Sequence, residues 1–321
     1  MNRFILIFFI STVLISNSAH AQSDLDNLVK GSTEDANYLV KGYITPALNT
    51  VGYGLAQGWY NTAKPHKVLG FDLMITAAAI SVPTSDLSYV VDNNKLSTIE
   101  VVTPAPSGGG ANVPTIFGSN VAPTYRFKAD GSTFTGAPGL DLNLPIVGTA
   151  VPIPMVQLGI GLPKGTDLKL RFFPSTALGS GGKDGNIGMF GIGLLHDVKQ
   201  YIPRAKKLPF DLSAFAAYTQ LDFNVNLDPI NSPSQKASFG SSAITIQGLI
   251  SKKISVLTFY SGLGFNIISS NLNLKGTFDL DGNMATTTDR KENPISVSNS
   301  AFSPSFTAGL RLKLAIFTFQ G

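Results

Sequence analysis

The chain has 321 residues, no cysteine, a formal net charge of +4 and only 14% charged residues. The missing thiols exclude disulfide frameworks, thiolate metal centres and cysteine nucleophiles, and a weak, scattered positive charge argues against nucleic acid as a partner. Soluble domains carry about 25% charged residues. The outer surface here is therefore short of charge, which an apolar surrounding tolerates and water does not.

The first residues read as an export signal. Arg3 precedes an apolar run from Phe4 to Ile15, broken only by Ser11 and Thr12, and Ala19-His20-Ala21 closes it with an A-x-A cleavage pattern. Residues 1–21 are expected to be a signal peptide cleaved after Ala21. The competing reading, a membrane anchor, needs about 20 apolar residues, and this run is shorter. No later run reaches 18 apolar residues. A mature chain that enters a membrane must then do so as a closed β-barrel, which alone satisfies the backbone without helices.

Residues 22–62 differ from the rest. Ser32-Thr33-Glu34-Asp35 resembles a helix N-cap with acids in the first turn. Leu25, Leu28 and Val29, then Leu39, Val40, Tyr43 and Ile44, fit short amphipathic helices, and Pro46 can open another through Leu48, Val51, Tyr53 and Leu55. A helical N-terminal element is expected here.

Strands follow from residue 63 onward. In the run after Gly70, Phe71, Leu73, Ile75, Ala77 and Ala79 share one face, and Asp72, Met74 and Thr76 the other. Leu96 to Val102 reads as a short strand. Residues 103–154 are poorly periodic and read as a long loop, with Thr124 to Lys128 alternating before a turn at Ala129–Ser132. Val156, Leu158, Ile160 and Leu162 then alternate with Gln157, Gly159 and Gly161. After the turn at Pro163-Lys164-Gly165, Leu168, Leu170 and Phe172 alternate with Asp167, Lys169 and Arg171. This reads as a hairpin. Gly179–Asn186 is a loop and Ile187–Leu195 a strand, while His196–Pro203 suits a short helix. One or two strands fit Phe210–Leu227. Ala237–Ile250 pairs with Ile254–Ser270 across Ser251-Lys252-Lys253, and Asn271–Leu280 returns. Pro304–Leu314 is a further strand, with Ala308, Leu310, Leu312 and Leu314 opposite Thr307, Gly309, Arg311 and Lys313.

The same alternation suits two architectures. A soluble sandwich buries the leucines and wets the charges. A membrane barrel turns the apolar face to lipid and the polar, small residues inward. Polar faces rich in Gly, Ser, Thr, Asn and Gln favour the barrel, so Leu168, Leu170 and Phe172 are expected outside and Asp167, Lys169 and Arg171 inside. The expected fold is an all-β transmembrane antiparallel barrel of about 12–14 strands, residues 63–321, with a short N-terminal helical plug.

Several stretches carry a resemblance: GWYNTAKPHKVLGFDL (58–73), PTIFG (114–118), LGIGLPKGTDLKLRF (158–172), GLLHDVKQYIP (193–203) and AGLRLKLAIFTFQG (308–321). They resemble an uncharacterised family of Gram-negative outer-membrane β-barrel proteins, itself distantly similar to the long-chain fatty-acid transporter barrels. The resemblance implies an outer-membrane location and a helical segment plugging the barrel. It also implies, as a partner beside outer-membrane lipid, a small hydrophobic or amphipathic molecule. Such families continue past FTFQG with a last strand, whereas this sequence stops at Gly321.

No catalytic constellation emerges. His66 and His196 lack a neighbouring nucleophile and acid at a recognisable spacing, and no G-x-S-x-G, H-E-x-x-H or Walker pattern occurs. His196-Asp197 suits a structural cap. Asp279-Leu280-Asp281-Gly282-Asn283 resembles the start of a calcium loop but lacks the downstream Glu, and Asp-Gly-Asn is an ordinary hairpin turn. No enzyme activity, metal or cofactor is therefore expected. Candidate interior contacts are Trp59, Tyr60, His66, Lys169, Arg171, Arg311 and Lys313. Trp59 can touch a ligand, anchor at a membrane interface, or pack the helical element into the barrel. The four cations can favour anionic head groups or form interior ion pairs with Asp167 and Asp72. The residues fix neither a substrate nor an oligomeric state.

Overall fold

The computed structural model describes residues 30–142, 148–178, 185–204, 208–228, 232–279, 290–315 and 317–321. The expected signal peptide, its cleavage position, most of the 179–186 loop and the Asp281-Gly282-Asn283 turn lie outside these residues.

One helix, α1 (Thr33–Ala56), replaces the expected series of short ones. Ser32 caps it as its sequence suggests, its hydroxyl accepting the Asp35 N–H at 3.0 Å. Pro46 lies inside the helix. Proline removes one backbone hydrogen bond and favours a break. Here buried contacts on both sides of it, from Ala36 and Leu39 to Leu48 and Leu55, hold one helix.

The strands follow in chain order: β1 (Phe71–Ser81), β2 (Ser88–Asp92), β3 (Ile99–Thr103), β4 (Gly110–Pro114), β5 (Thr124–Phe127), β6 (Thr133–Thr135), β7 (Ala150–Leu162), β8 (Thr166–Leu178), β9 (Gly185–Asp197), β10 (Asp211–Asp228), β11 (Ser232–Ile254), β12 (Leu257–Lys275), β13 (Thr277–Asp279), β14 (Arg290–Glu292), β15 (Ile295–Leu314) and β16 (Phe317–Gln320). Nine of them form one antiparallel meander, β1-β7-β8-β9-β10-β11-β12-β15-β16, curled around α1 as a half-barrel. The large sheet has fewer strands than the 12–14 expected, for two reasons. Its strands are long, β11 reaching 23 residues, so the separate strand expected at 271–280 is mostly the continuation of β12. And much of the expected loop 103–154 folds into small sheets, β2-β4 and β3-β5-β6, over one end. The expected helix at 196–203 reduces to a single turn, Lys199–Tyr201, after β9.

The two ends of the half-barrel differ. At one, tight turns join β7 to β8, β11 to β12 and β15 to β16. Lys164, Ser255 and Ala315 take positive φ there, in a three-residue turn between β7 and β8 and two-residue turns in the other two hairpins. At the other end run the long connections 82–149 and 276–294. The helix starts at this long-connection end, where Asn37 bonds Pro294 and Ser296. It finishes deep inside, beside β8.

The faces are arranged as the alternation predicts. Phe71, Leu73 and Ile75 are exposed on β1 and Phe172 on β8, while Asp167, Lys169 and Arg171 are each at most 4% exposed. On β11, β12 and β15 the outward, mainly apolar runs extend from Ile244 to Ile254, Leu257 to Ile267 and Phe302 to Leu312, in register across the sheet, with Lys252 and Ser261 as polar members. Buried inward of them lie Thr245, Gln247, Ser251, Thr258 and Asn266. Beyond Ser242, Ser269 and Ser300 the pattern inverts. Asn271 and Lys275 now face outward, while Leu272, Leu274, Ile295 and Val297 face inward and pack with Ala36 and Leu48 of α1.

Candidate functional site

The interior site is built from one inward row of β8 and the chain that leaves α1. Successive inward positions of β8 are Arg171, Lys169 and Asp167. Their ladder partners are Gln157, Gly159 and Gly161 on β7, and Gly191, Gly193 and Leu195 on β9. The glycines make room for long side chains. A Cβ on Gly191 or Gly193 would crowd the Trp59 ring at 3.1–3.2 Å, and one on Gly159 would strike the Asp72 carboxylate.

Arg171 closes the helix. The last carbonyls of a helix have no intrahelical donors and carry partial negative charge. Its last turn holds no basic residue of its own. Arg171 supplies one from the wall: Nη1 donates to Leu55 O at 2.9 Å, Nη2 to Gln57 O at 2.5 Å and Nε to Gln157 Oε1 at 3.1 Å. Its guanidinium also lies 3.7 Å from the centre of the Trp59 ring, a cation–π contact strengthened by exclusion of water. Gln157 Nε2 in turn donates to Trp59 O at 2.9 Å. Helix end, wall and the following turn are thus tied at one side chain.

Trp59 is buried against Phe215, with ring centres 5.8 Å apart, and Tyr60 meets the same Phe215 edge-on at 5.4 Å. Of the three readings of Trp59, the geometry is that of packing. The Tyr60 hydroxyl reaches Gln247 Oε1. His66 closes the tight-turn end. Its backbone N–H donates to Asp167 Oδ1 at 2.7 Å, and its Nδ1 lies 2.8 Å from Oδ2. Lys169 Nζ is 3.9 Å from the same carboxylate, so the ion-pair arrangement of the sequence reading has a geometric counterpart. Arg311 faces inward, half-buried, and attracts Asp72, which also attracts Lys169. Lys313 is exposed at the end of β15 and its N–H donates to Val256 O; it does not join the interior group.

The sequence reading missed several contributors. Gln247 and Phe215 enter through long-range pairing and carry no local signature, while Gln157 lies opposite Arg171 in the expected hairpin. Gly191 and Gly193 had one: inward positions of a strand left empty beside a row of long cations.

The edges of the sheet complete the picture. β1 and β16 end the ladder without pairing to one another. They approach where Gln320 Nε2 lies 3.0 Å from Met74 Sδ. β16 pairs β15 only from Arg311 to Leu314. Along this seam the inward residues Thr76, Ala78, Ile80, Ala301, Ser303 and Ser305 are half-exposed, whereas those of β10 to β12 opposite are mostly buried.

Among the described residues, no group of three or more His, Asp or Glu could hold a metal. Helix inside, charges inward and oily side chains outward define a barrel-like all-β protein. Over residues 1–321 the chain belongs to a family of unknown function, DUF6588. No curated protein and no solved structure matches it.

Proposed function

We propose that this protein is an outer-membrane β-barrel, filled by its N-terminal helix, that binds or passes a small hydrophobic or amphipathic molecule. One observation carries the membrane placement. Three neighbouring strands, β11, β12 and β15, each present an 11-residue outward stretch over a polar interior that is apolar but for Lys252 near the tight-turn end of β11 and Ser261 on β12, and all three stop at one level. Ten steps of about 3.4 Å at a tilt of 35–45° span roughly 24–28 Å, the height of a lipid-facing band. Water would penalise this surface, since an exposed Phe or Leu forgoes about 2 kcal/mol of burial. A hydrocarbon layer does not. The apolar leader ending at Ala21 supports export, and the tight turns gathered at one end match the short periplasmic turns of such barrels.

The seam between β1 and β15 supports the ligand part of the reading. Its inward side chains keep partial exposure, and Leu73, Ile75, Phe302 and Phe306 stand on its outer side. A second reading, a scaffold barrel that transports nothing, draws support from the packed group around Trp59 and Arg171.

Fractionation combined with heat-modifiable gel mobility tests the placement: outer-membrane recovery and a faster-running unheated form are expected. Purified protein in vesicles then separates the two readings. Uptake of a fluorescent fatty acid, increased by deletion of residues 33–56, supports passage. No uptake by either form leaves the scaffold.

A further inference from the structure

The outer face changes character above the apolar runs, and a cavity of about 650 Å³ lies there. Its walls are outward-facing side chains of five adjacent strands, β8 to β12, among them Ser175, Asn186, Asn224, Ser238, Lys236 and Lys275. Two features make it more than a wet surface. First, Ser175, Asn186 and Asn224 are chained across three strands. The Asn186 amide donates to the Ser175 hydroxyl at 3.0 Å, and the Asn224 amide to Asn186 Oδ1 at 3.2 Å. Amides and hydroxyls held in this way present donors and acceptors in fixed directions. Second, Lys236 and Lys275 stand directly opposite one another on β11 and β12. Like charges at a cross-strand pair repel and weaken the sheet. Among the side chains the structure describes, neither lysine has a carboxylate within ion-pair distance. Asp222, two outward positions nearer the belt on β10, accepts from Gln220 instead. An anion between the two ammonium groups would turn this repulsion into attraction.

We propose that this cavity binds the anionic sugar headgroup of a membrane glycolipid whose acyl chains lie along the apolar belt below. The proposal rests on the membrane placement above. Height and chemistry both favour this occupant. Lys236 lies six residues beyond Ser242, about 20 Å further along the strand, too far out for hydrocarbon and level with a bulky headgroup. Asparagine amides and serine hydroxyls suit sugar hydroxyls, and paired lysines suit a phosphate.

The test uses the full mature chain in detergent, titrated with lipid A, with the deacylated bisphosphorylated disaccharide and with phosphatidylglycerol, and read by native mass spectrometry. Wild type should hold lipid A in preference to the other two. Lys236→Gln with Lys275→Gln should weaken it about thirtyfold, at about a factor of five per lysine near a charged surface. Lys252→Gln with Lys253→Gln, at the opposite end, should change it less than about twofold. Unchanged lipid A binding in the first double variant overturns the proposal. So does equal binding of the deacylated disaccharide, which means a free saccharide site, or of phosphatidylglycerol, which means unspecific charge. Both variants change exposed side chains, and heat-modifiable mobility reports that they fold. Failure of the wild type to insert into vesicles overturns the membrane placement itself. Insertion without dependence on the two lysines overturns only the headgroup site.

Discussion

Two levels of the same half-barrel follow opposite rules. Toward the tight turns, Arg171, Lys169, Asp167, Gln157 and Gln247 are buried while leucines and phenylalanines face out. Toward the long connections, Leu274, Ile295 and Val297 are buried with the first half of α1, and serines, asparagines and lysines face out. The strands are continuous through the change, so the backbone does not cause it. On the proposed membrane placement, what changes is the solvent outside. The lower level is held by directed polar contacts around a helix end, and the upper level by apolar contact, as in any soluble core. Perturbations chosen for each level should therefore fail in different ways.

The largest effect is expected at Arg171. Arg171→Met keeps the bulk but strands the Leu55 and Gln57 carbonyls and Gln157 Oε1 together. Hydrogen bonds to a charged group contribute about 1.5–3 kcal/mol each, so a loss of at least about 4.5 kcal/mol from the three is expected in denaturant unfolding from vesicles. Arg171→Lys should recover less than half, because an ammonium cannot match the fork that reaches two carbonyls and an amide. If Arg171→Met unfolds like wild type, the helix end is held by something else and the contrast between levels loses its lower term.

The upper level should answer to volume instead. Leu48, fully buried on the helix, is expected to cost about 3 kcal/mol as Leu48→Ala, the usual cost of a core cavity. The outer face sharpens the boundary between levels. Ile246→Arg lies within the belt and should cost about 2–4 kcal/mol of stability in vesicles, while Ser242→Arg, one outward position past the belt's end at Ile244, should cost under about 1 kcal/mol. Equal costs at the two positions would remove the boundary.

Much of the lower level was legible in the sequence. Strict alternation around the Pro163–Gly165 turn gave both the hairpin and its sidedness, because the side-chain period of a strand is two and nothing else produces it. The boundary was legible too, but was missed. In β12 the apolar phase shifts from Leu263 and Ile267 to Leu272 and Leu274. In β15 it shifts from Ile295 and Val297 to Phe302 and Phe306. Reading such a shift as a break between strands, rather than a change of buried face along one strand, splits β12 in two. The Arg171 contacts were not legible. Those to the helix end join residues more than 110 positions apart, and neither α1 nor β8 carries a local mark of the other. Of the small sheets over 88–135, β3 was legible as the strand at Leu96–Val102 and β5 in the alternation of Thr124–Lys128, while β2, β4 and β6 are too short, among Pro and Gly, for periodicity to register.

The most local effect concerns Asp35, where the top of α1 meets the β3 region. Burial by itself raises the pKa of this carboxyl. The N–H groups of Ser97, Thr98 and Ile99 and the Thr98 hydroxyl outweigh burial and hold it below the ordinary 3.8. The unfolded chain then binds its proton more readily than the folded one. The contact's contribution is complete above the ordinary 3.8 and is lost as pH falls through the lower folded value. Hydrogen exchange, corrected for intrinsic rates, should show the amides of Ser97 to Ile99 equally protected at neutral and mildly acidic pH and opening only below that range. Asp35→Asn, which keeps the shape and removes the charge, should cost about 1–3 kcal/mol of local stability and flatten the acid response, while Arg171 and the belt are untouched. A helix that loosens at both ends together on acidification would mean that the two levels form one cooperative unit rather than two.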